Sequence, residues 1–211
     1  IHSPAALVLA DVCDDLGQRA FVGKVSMDRN SPDFYIEETK KGCDDVEAFA
    51  RDVFKRTKAG ASYIEEVDDQ INGRLLALGT GLPRVLPAVA PRFVPTCTEE
   101  MMRALGRIAS KYDLPIQSHL SENVDECHWV AALHPEIKGY GNVYKEMGLL
   151  NDKTYMAHCV YSDKEERQLM REVGCGACHC PSSNFCLGSG VMDIRVFLNE
   201  GIKVGLGTDV A

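Results

Sequence analysis

The sequence predicts an α/β protein whose strands form a parallel sheet joined by right-handed helical crossovers. Three observations carry that prediction. Short apolar runs alternate with segments of helical period along most of the 211 residues. Residues suited to metal binding or acid–base chemistry recur at the C-terminal ends of those runs, where parallel α/β folds place their sites. No glycine fingerprint for a dinucleotide or a P-loop follows any strand, which lowers the nucleotide-binding doubly wound reading. Periodicity alone leaves a barrel and an open doubly wound sheet both in play.

The first strand is expected over 20–25, followed by a helix over 44–55 with Val46, Phe49 and Val53 on one face. Residues 60–81 read as a long acidic surface insertion. A second strand is expected over 84–90. Thr96-x-x-Glu99 then starts a helix carrying Met102, Leu105, Ile108 and Tyr112. Further units follow: a strand over 115–119 and a helix over 124–133, then a strand over 154–160. Ser162-Asp163-Lys164-Glu165 has the form of a capping box, opening a helix with Leu169 and Val173 on one face and Gly174 at its end. A strand over 176–180 is stopped by Pro181. A helix over 191–200 and a strand over 203–208 complete the pattern.

Composition bounds the function. With 45% hydrophobic residues the chain can bury one sizeable core, as one domain or part of a larger one. A first residue of Ile1, and an end at Ala211 just past an Asp, favour a part. The net charge of -8 and pI near 5.3 argue against a nucleic-acid footprint, and no block of Lys or Arg offsets them. Acidic segments such as Glu65-Glu66-Val67-Asp68-Asp69 read as solvated loop. No apolar run approaches the roughly 18–20 residues of a membrane span. Nine cysteines, an odd number lying partly inside apolar runs, read as reduced and buried in a cytosolic protein.

The chemistry sits at strand ends. His119, His158 and Asp209 each end an expected strand, as do His179 and Arg92. Imidazole and carboxylate together suit zinc. A lone strand-end His is ordinarily a hydrogen-bonded structural residue, so the weight lies in three such ends in one order. In Ala88-x-Ala90-x-Arg92 and Gly205-x-Gly207-x-Asp209 the residues sharing a face with the functional group are small, leaving space for a substrate. Glu122, three residues after His119, is placed to move protons. His134-Pro135-Glu136 with Cys175-x-x-Cys178 imitates the small zinc deaminase signature, but Gly174 stands where that signature needs Pro. As a redox pair those cysteines lack a helix N-terminus, so buried packing is the better reading.

At these residues the sequence resembles the amidohydrolase superfamily, whose strand-five His, strand-six His and strand-eight Asp match His119, His158 and Asp209. Within it the chain is similar to the guanine deaminases, through residues 17–25, Ala90-Pro91-Arg92-Phe93, residues 117–123 and Met156-Ala157-His158-Cys159, and then through His179-Cys180-Pro181-Ser182-Ser183-Asn184 and residues 205–211. The resemblance implies an incomplete (β/α)₈ TIM barrel of the metal-dependent amidohydrolase type. Residues 1–211 would be its catalytic barrel fragment, from about strand two or three to strand eight, lacking strand one and the outer β-sandwich. The family's His-x-His pair at the end of strand one is absent, since His2 is followed by Ser3 and Pro4.

The resemblance further implies one zinc per subunit, with His119, Asp209 and His158 at the metal. The reaction implied is deamination of guanine to xanthine and ammonia, a step of purine catabolism. Its catalytic residues would be Glu122, Asp209 and His158. Glu122 would protonate ring N3, Asp209 would accept the water proton and His158 would hydrogen-bond the attacking oxygen. Substrate would meet Arg92 at its O6 carbonyl, Phe93 as a wall, and His119, Glu122 and Asp209 around the reacting centre. The whole protein would be a cytoplasmic homodimer with no nucleic-acid or membrane partner, and the fragment alone would be inactive. A triazine hydrolase, an adenosine-type deaminase and an inactive scaffold are the competing readings.

Overall fold

Six parallel strands form one sheet in the order β1-β2-β3-β4-β5-β6, with every neighbour also the next strand in sequence. The computed structural model describes residues 3–56 and 83–209. The strands are β1 (Ala20–Ser26), β2 (Val85–Pro91), β3 (Ile116–Leu120), β4 (Thr154–His158), β5 (Gly176–His179) and β6 (Val204–Leu206). A doubly wound sheet reverses its strand order at a switch point. This sheet has no reversal, so that alternative is excluded for the described residues. The expected acidic insertion over 60–81 lies outside them.

The helices are α1 (Ser3–Asp15), α2 (Thr39–Arg56), α3 (Glu99–Lys111), α4 (Val124–Leu133), α5 (Tyr140–Glu146), α6 (Lys164–Val173), α7 (Pro181–Leu187) and α8 (Ile194–Asn199). The main core lies between sheet and helices. Val46, Ala50 and Phe54 of α2 and Met101, Met102 and Leu105 of α3 pack there with Val89, Ile116, Met156 and Tyr144. A smaller cluster joins Ala10 of α1 to Val22, Phe49, Val53 and Val85. Each large side chain buried this way contributes about 1.5–3 kcal/mol over exposure.

Several local expectations are corrected. The cap of α3 is Thr98 rather than Thr96: its hydroxyl accepts from the Met101 N–H, while Thr96 ends a short 3₁₀ turn over Val94–Thr96. Asp28 fixes that choice, since its carboxylate accepts from both the Thr98 N–H (2.7 Å) and the Thr98 hydroxyl (2.6 Å). The cap of α6 is likewise Asp163, which accepts from the Glu166 N–H, rather than Ser162. Pro181 ends the fifth strand as expected but also opens α7, occupying a first-turn position where its missing N–H costs nothing. The last helix is shorter than 191–200, because Asp193 caps it at Ile194.

Close approach dictates one glycine. Gly106 lies inside α3, and a Cβ there would collide with the carbonyl oxygen of Met147. Strand-to-helix turns at the C-terminal end of the sheet are tight as well. Ser121, His158, Cys159 and Asp209 all have positive φ, between 48° and 73°. Such backbone is uncommon without glycine and clusters at functional sites.

Candidate active site

Those same turns aim the chemical groups. A cavity of about 1040 Å³ opens at the C-terminal ends of the strands, lined among others by Arg92, Phe93, His119, Glu122, Ser183 and Asp209. His158 stands behind it, fully buried. Its Nδ1 is 2.9 Å from the Asn184 side-chain oxygen. Its Nε2 has no hydrogen-bond partner, and lies 3.7 Å from Glu122 Oε2 and 3.9 Å from Asp209 Oδ2. Two carboxylates converging on an orphaned ring nitrogen make a place for positive charge, which a metal cation or shared protons would supply.

The two imidazoles stack with ring centroids 5.0 Å apart. His119 Nδ1 lies 2.6 Å from the Arg92 carbonyl oxygen. A carbonyl only accepts, so Nδ1 carries the proton and Nε2 presents a lone pair, the tautomer a metal ligand needs. Burial, and then the neighbouring His158 ring, hold the His119 imidazole below its ordinary value of 6.5. Both effects favour the neutral form that binds metal. The donor set therefore fits zinc.

Arg92 and Phe93 leave β2 together at the rim. The Arg92 guanidinium carbon sits 5.7 Å from the Phe93 ring centroid, and Phe93 lies 6.2 Å from the His119 ring. All the expected site residues thus meet at one end of the sheet. His179, which ends β5 at the same end of the sheet, is buried, burial holds its imidazole below 6.5, and like His158 it does not line the cavity. The small residues before the functional groups divide in purpose. Ala90 lines the cavity, but a Cβ on Gly207 would come within 2.8 Å of Cys180 Sγ, so Gly207 answers to packing rather than to substrate space.

Sequence reasoning missed the residues that hold these groups. On α7, Ser183 donates to Asp209 Oδ2 at 2.6 Å, and Asn184 engages His158. Just beyond, the Ser189 hydroxyl donates to Glu122 Oε1 at 2.9 Å. Pro181 at the start and Gly188 in left-handed conformation at the end were the available signals for α7. Two buried carboxylates brace the Ser121–Glu122 turn from outside. Glu126 accepts from the Glu122 N–H (3.2 Å) and the Tyr140 hydroxyl (2.7 Å). Glu166 accepts from the Ser121 hydroxyl and the Gly141 N–H, both at 2.8 Å.

A model of the amidohydrolase family matches residues 1–211. The chain belongs to the amidohydrolase family. Among amidohydrolases of known name, it is 44% identical over 211 residues to guanine deaminase of Dictyostelium discoideum and 40% identical over 213 residues to that of Homo sapiens. Both alignments cover the whole of this chain, which spans 42% and 41% of those relatives' length. The crystal structure of guanine deaminase from C. acetobutylicum with bound guanine in the active site matches with a TM-score of 0.80 at 38% identity, over 99% of this chain and 44% of that one. An adenosine deaminase from Xanthomonas campestris with bound zinc shares the fold at a TM-score of 0.69 and 23% identity, over 96% of this chain and 39% of that one.

The cysteines and the membrane expectation can be placed too. All nine cysteines are free. Burial pushes the Cys175 thiol up to about 12 and raises that of Cys178, the opposite of what a reactive redox pair requires. No helix among the described residues is long and apolar enough to cross a membrane.

Proposed function

We propose that this chain carries one side of the active site of an enzyme that hydrolyses guanine to xanthine and ammonia. The observation that carries the reading is the orphaned His158 nitrogen facing Glu122 and Asp209 in a cavity rimmed by Arg92 and Phe93. The names of its relatives supply the substrate. In this reading the six strands are strands three to eight of a (β/α)₈ barrel. His119, Asp209 and His158 are the residues at a zinc ion, with further ligands outside the chain. Zinc, when bound, supplies Lewis-acid activation of water.

The chain's own residues do the rest. Water adds at C2 of guanine, and the exocyclic C2–N bond breaks as the amine leaves protonated. Asp209, steadied by Ser183, takes the proton from the attacking water. Glu122, steadied by Ser189 and Glu126, gives its proton to ring N3, then takes the proton of the added hydroxyl as C2=O forms and passes it to the leaving amine, and the proton held by Asp209 returns to Glu122. His158 holds the attacking oxygen through Nε2. Arg92 donates to O6, and Phe93 closes the side of the purine. Adenine presents an amino donor at that position and would leave Arg92 unpaired, so it is rejected. The whole protein is expected to work as a cytoplasmic homodimer.

Two variants of the whole protein test this. Glu122→Gln keeps the size and removes the titratable carboxylate, so kcat falls by roughly 10²–10⁴-fold while zinc content stays intact. Arg92→Ala loses kcat/KM for guanine and weakens discrimination against adenine. Full activity in Glu122→Gln would end the mechanism. A preference for adenine or melamine over guanine in the unaltered protein would move the substrate elsewhere within the family.

A further inference from the structure

His134-Pro135-Glu136 has no part in the site above, and its surroundings are unusual. His134 caps the C-terminal end of α4, only 2% exposed, and neither ring nitrogen has a hydrogen-bond partner. Its Nδ1 faces two carboxylates: Glu99 Oε1 at 3.3 Å and Glu136 Oε1 at 3.9 Å. One ligand atom from each of the three residues lies within 4.8 Å of the others. Glu99 belongs to the first turn of α3, and its other oxygen is 3.6 Å from Arg103, which leaves Oε1 turned toward the imidazole.

We propose that His134, Glu99 and Glu136 form a second divalent-cation site suited to zinc. An imidazolium donating to a carboxylate settles at about 2.7–2.9 Å. The distances here are longer, and the alignment is not that of a hydrogen bond. Ligand atoms about 2.0–2.2 Å from a tetrahedral metal lie roughly 3.4 Å from each other. The observed 3.3 and 3.9 Å bracket that edge. One imidazole with two carboxylates suits zinc, whereas magnesium and calcium take all-oxygen sets. The two carboxylates are 46% and 62% exposed, so a fourth position is open to water and the ion exchanges with solvent.

The site is separate from the one at the strand ends. The 10 residues of α4 lie between Glu122 and His134, a span of about 15 Å. A bound ion would tie the start of α3 to the end of α4 and stabilise both, without touching Glu122 or Asp209. Nothing in this inference depends on the identity of the substrate.

The test uses the whole protein, equilibrated with zinc alone at fixed free concentration and counted by elemental mass spectrometry. The unaltered protein should hold one zinc more per chain than His134→Gln, and it should gain more Tm than that variant on raising free zinc. Guanine turnover without added zinc should be equal in both. The double variant Glu99→Gln/Glu136→Gln changes only exposed carboxylates, and it carries the comparison if His134→Gln fails to fold. Equal zinc counts and equal Tm gains in the unaltered protein and the double variant would overturn the site.

Discussion

Glu47 on α2 accepts hydrogen bonds from Lys111 Nζ (2.7 Å) and the Tyr112 hydroxyl (2.5 Å) at the end of α3. Those donors, Lys111 first, hold its carboxyl below the ordinary 4.5. A carboxyl lowered by folding contributes stability that is fully present above 4.5 and is lost as pH falls through the folded value. Glu166 has the opposite sign. Burial raises its carboxyl above 4.5 despite the hydrogen bonds it accepts from Ser121 and Gly141, so the folded chain holds its proton more tightly than the unfolded one does. That contribution is complete below 4.5 and is lost as pH rises through the folded value. Urea midpoints measured against pH should therefore diverge. The gap between the unaltered chain and Glu47→Gln widens from acid toward neutral pH. The gap to Glu166→Gln narrows over the same direction. Parallel trends for the two variants would contradict the assignment of these environments.

At the scale of elements, Gly106→Ala opposes two rules. Alanine is the better helix former by about 1 kcal/mol. Yet the added methyl would strike the Met147 carbonyl, and overpacking of that kind costs about 1–3 kcal/mol. A lower Tm is expected, and a raised one would show that the 147–148 turn yields freely. The amphipathic helices α2, α3 and α6 were legible because their apolar residues recur at helical spacing. Three others were not. Residues 5–10 of α1 are an unbroken apolar run, without period, and Val8 and Leu9 remain exposed. α5 begins at Gly139, which offers no side-chain cap. α7 is short and follows a strand directly. The cap of α3 lies two residues beyond its expected place because Asp28, from the loop after β1, chose between the candidates. The site residues on strand ends were readable from position, while Ser183, Asn184, Ser189, Glu126 and Glu166 matter only through contacts that sequence spacing does not encode.

For the molecule as a whole, the sheet ends at β1 and β6 among the described residues, and both edges carry exposed apolar side chains. Phe21 is 50% exposed and Leu206 84%. Unpaired strand edges with apolar faces recruit other chains. The 211-residue chain on its own should therefore self-associate at micromolar concentration, as light scattering behind a sizing column would show, and should bind zinc poorly at the strand-end site. A monodisperse monomer with tightly held zinc at that site would contradict both expectations. The alternation of strand and helix was enough to give the parallel sheet. It could not give the sequential strand order, because periodicity records which residues are buried and not which strand lies beside which.

That order also bears on how the chain acquires its shape during synthesis. Among the described residues every hydrogen-bonded strand pair joins consecutive strands, so each new strand leaving the ribosome meets a neighbour already made. Among the described residues no pairing skips a strand, and every connection after the one over 27–84 between β1 and β2 is shorter than it. Growth by accretion from β1 toward β6 is the expected outcome. Nascent chains arrested after successive strands should gain protease protection in steps, one strand–helix unit at a time. Asp209 follows β6, the latest in sequence of the described strands. The cluster of Asp209, Glu122 and His158 is therefore expected to form only once β6 has joined the strands described before it.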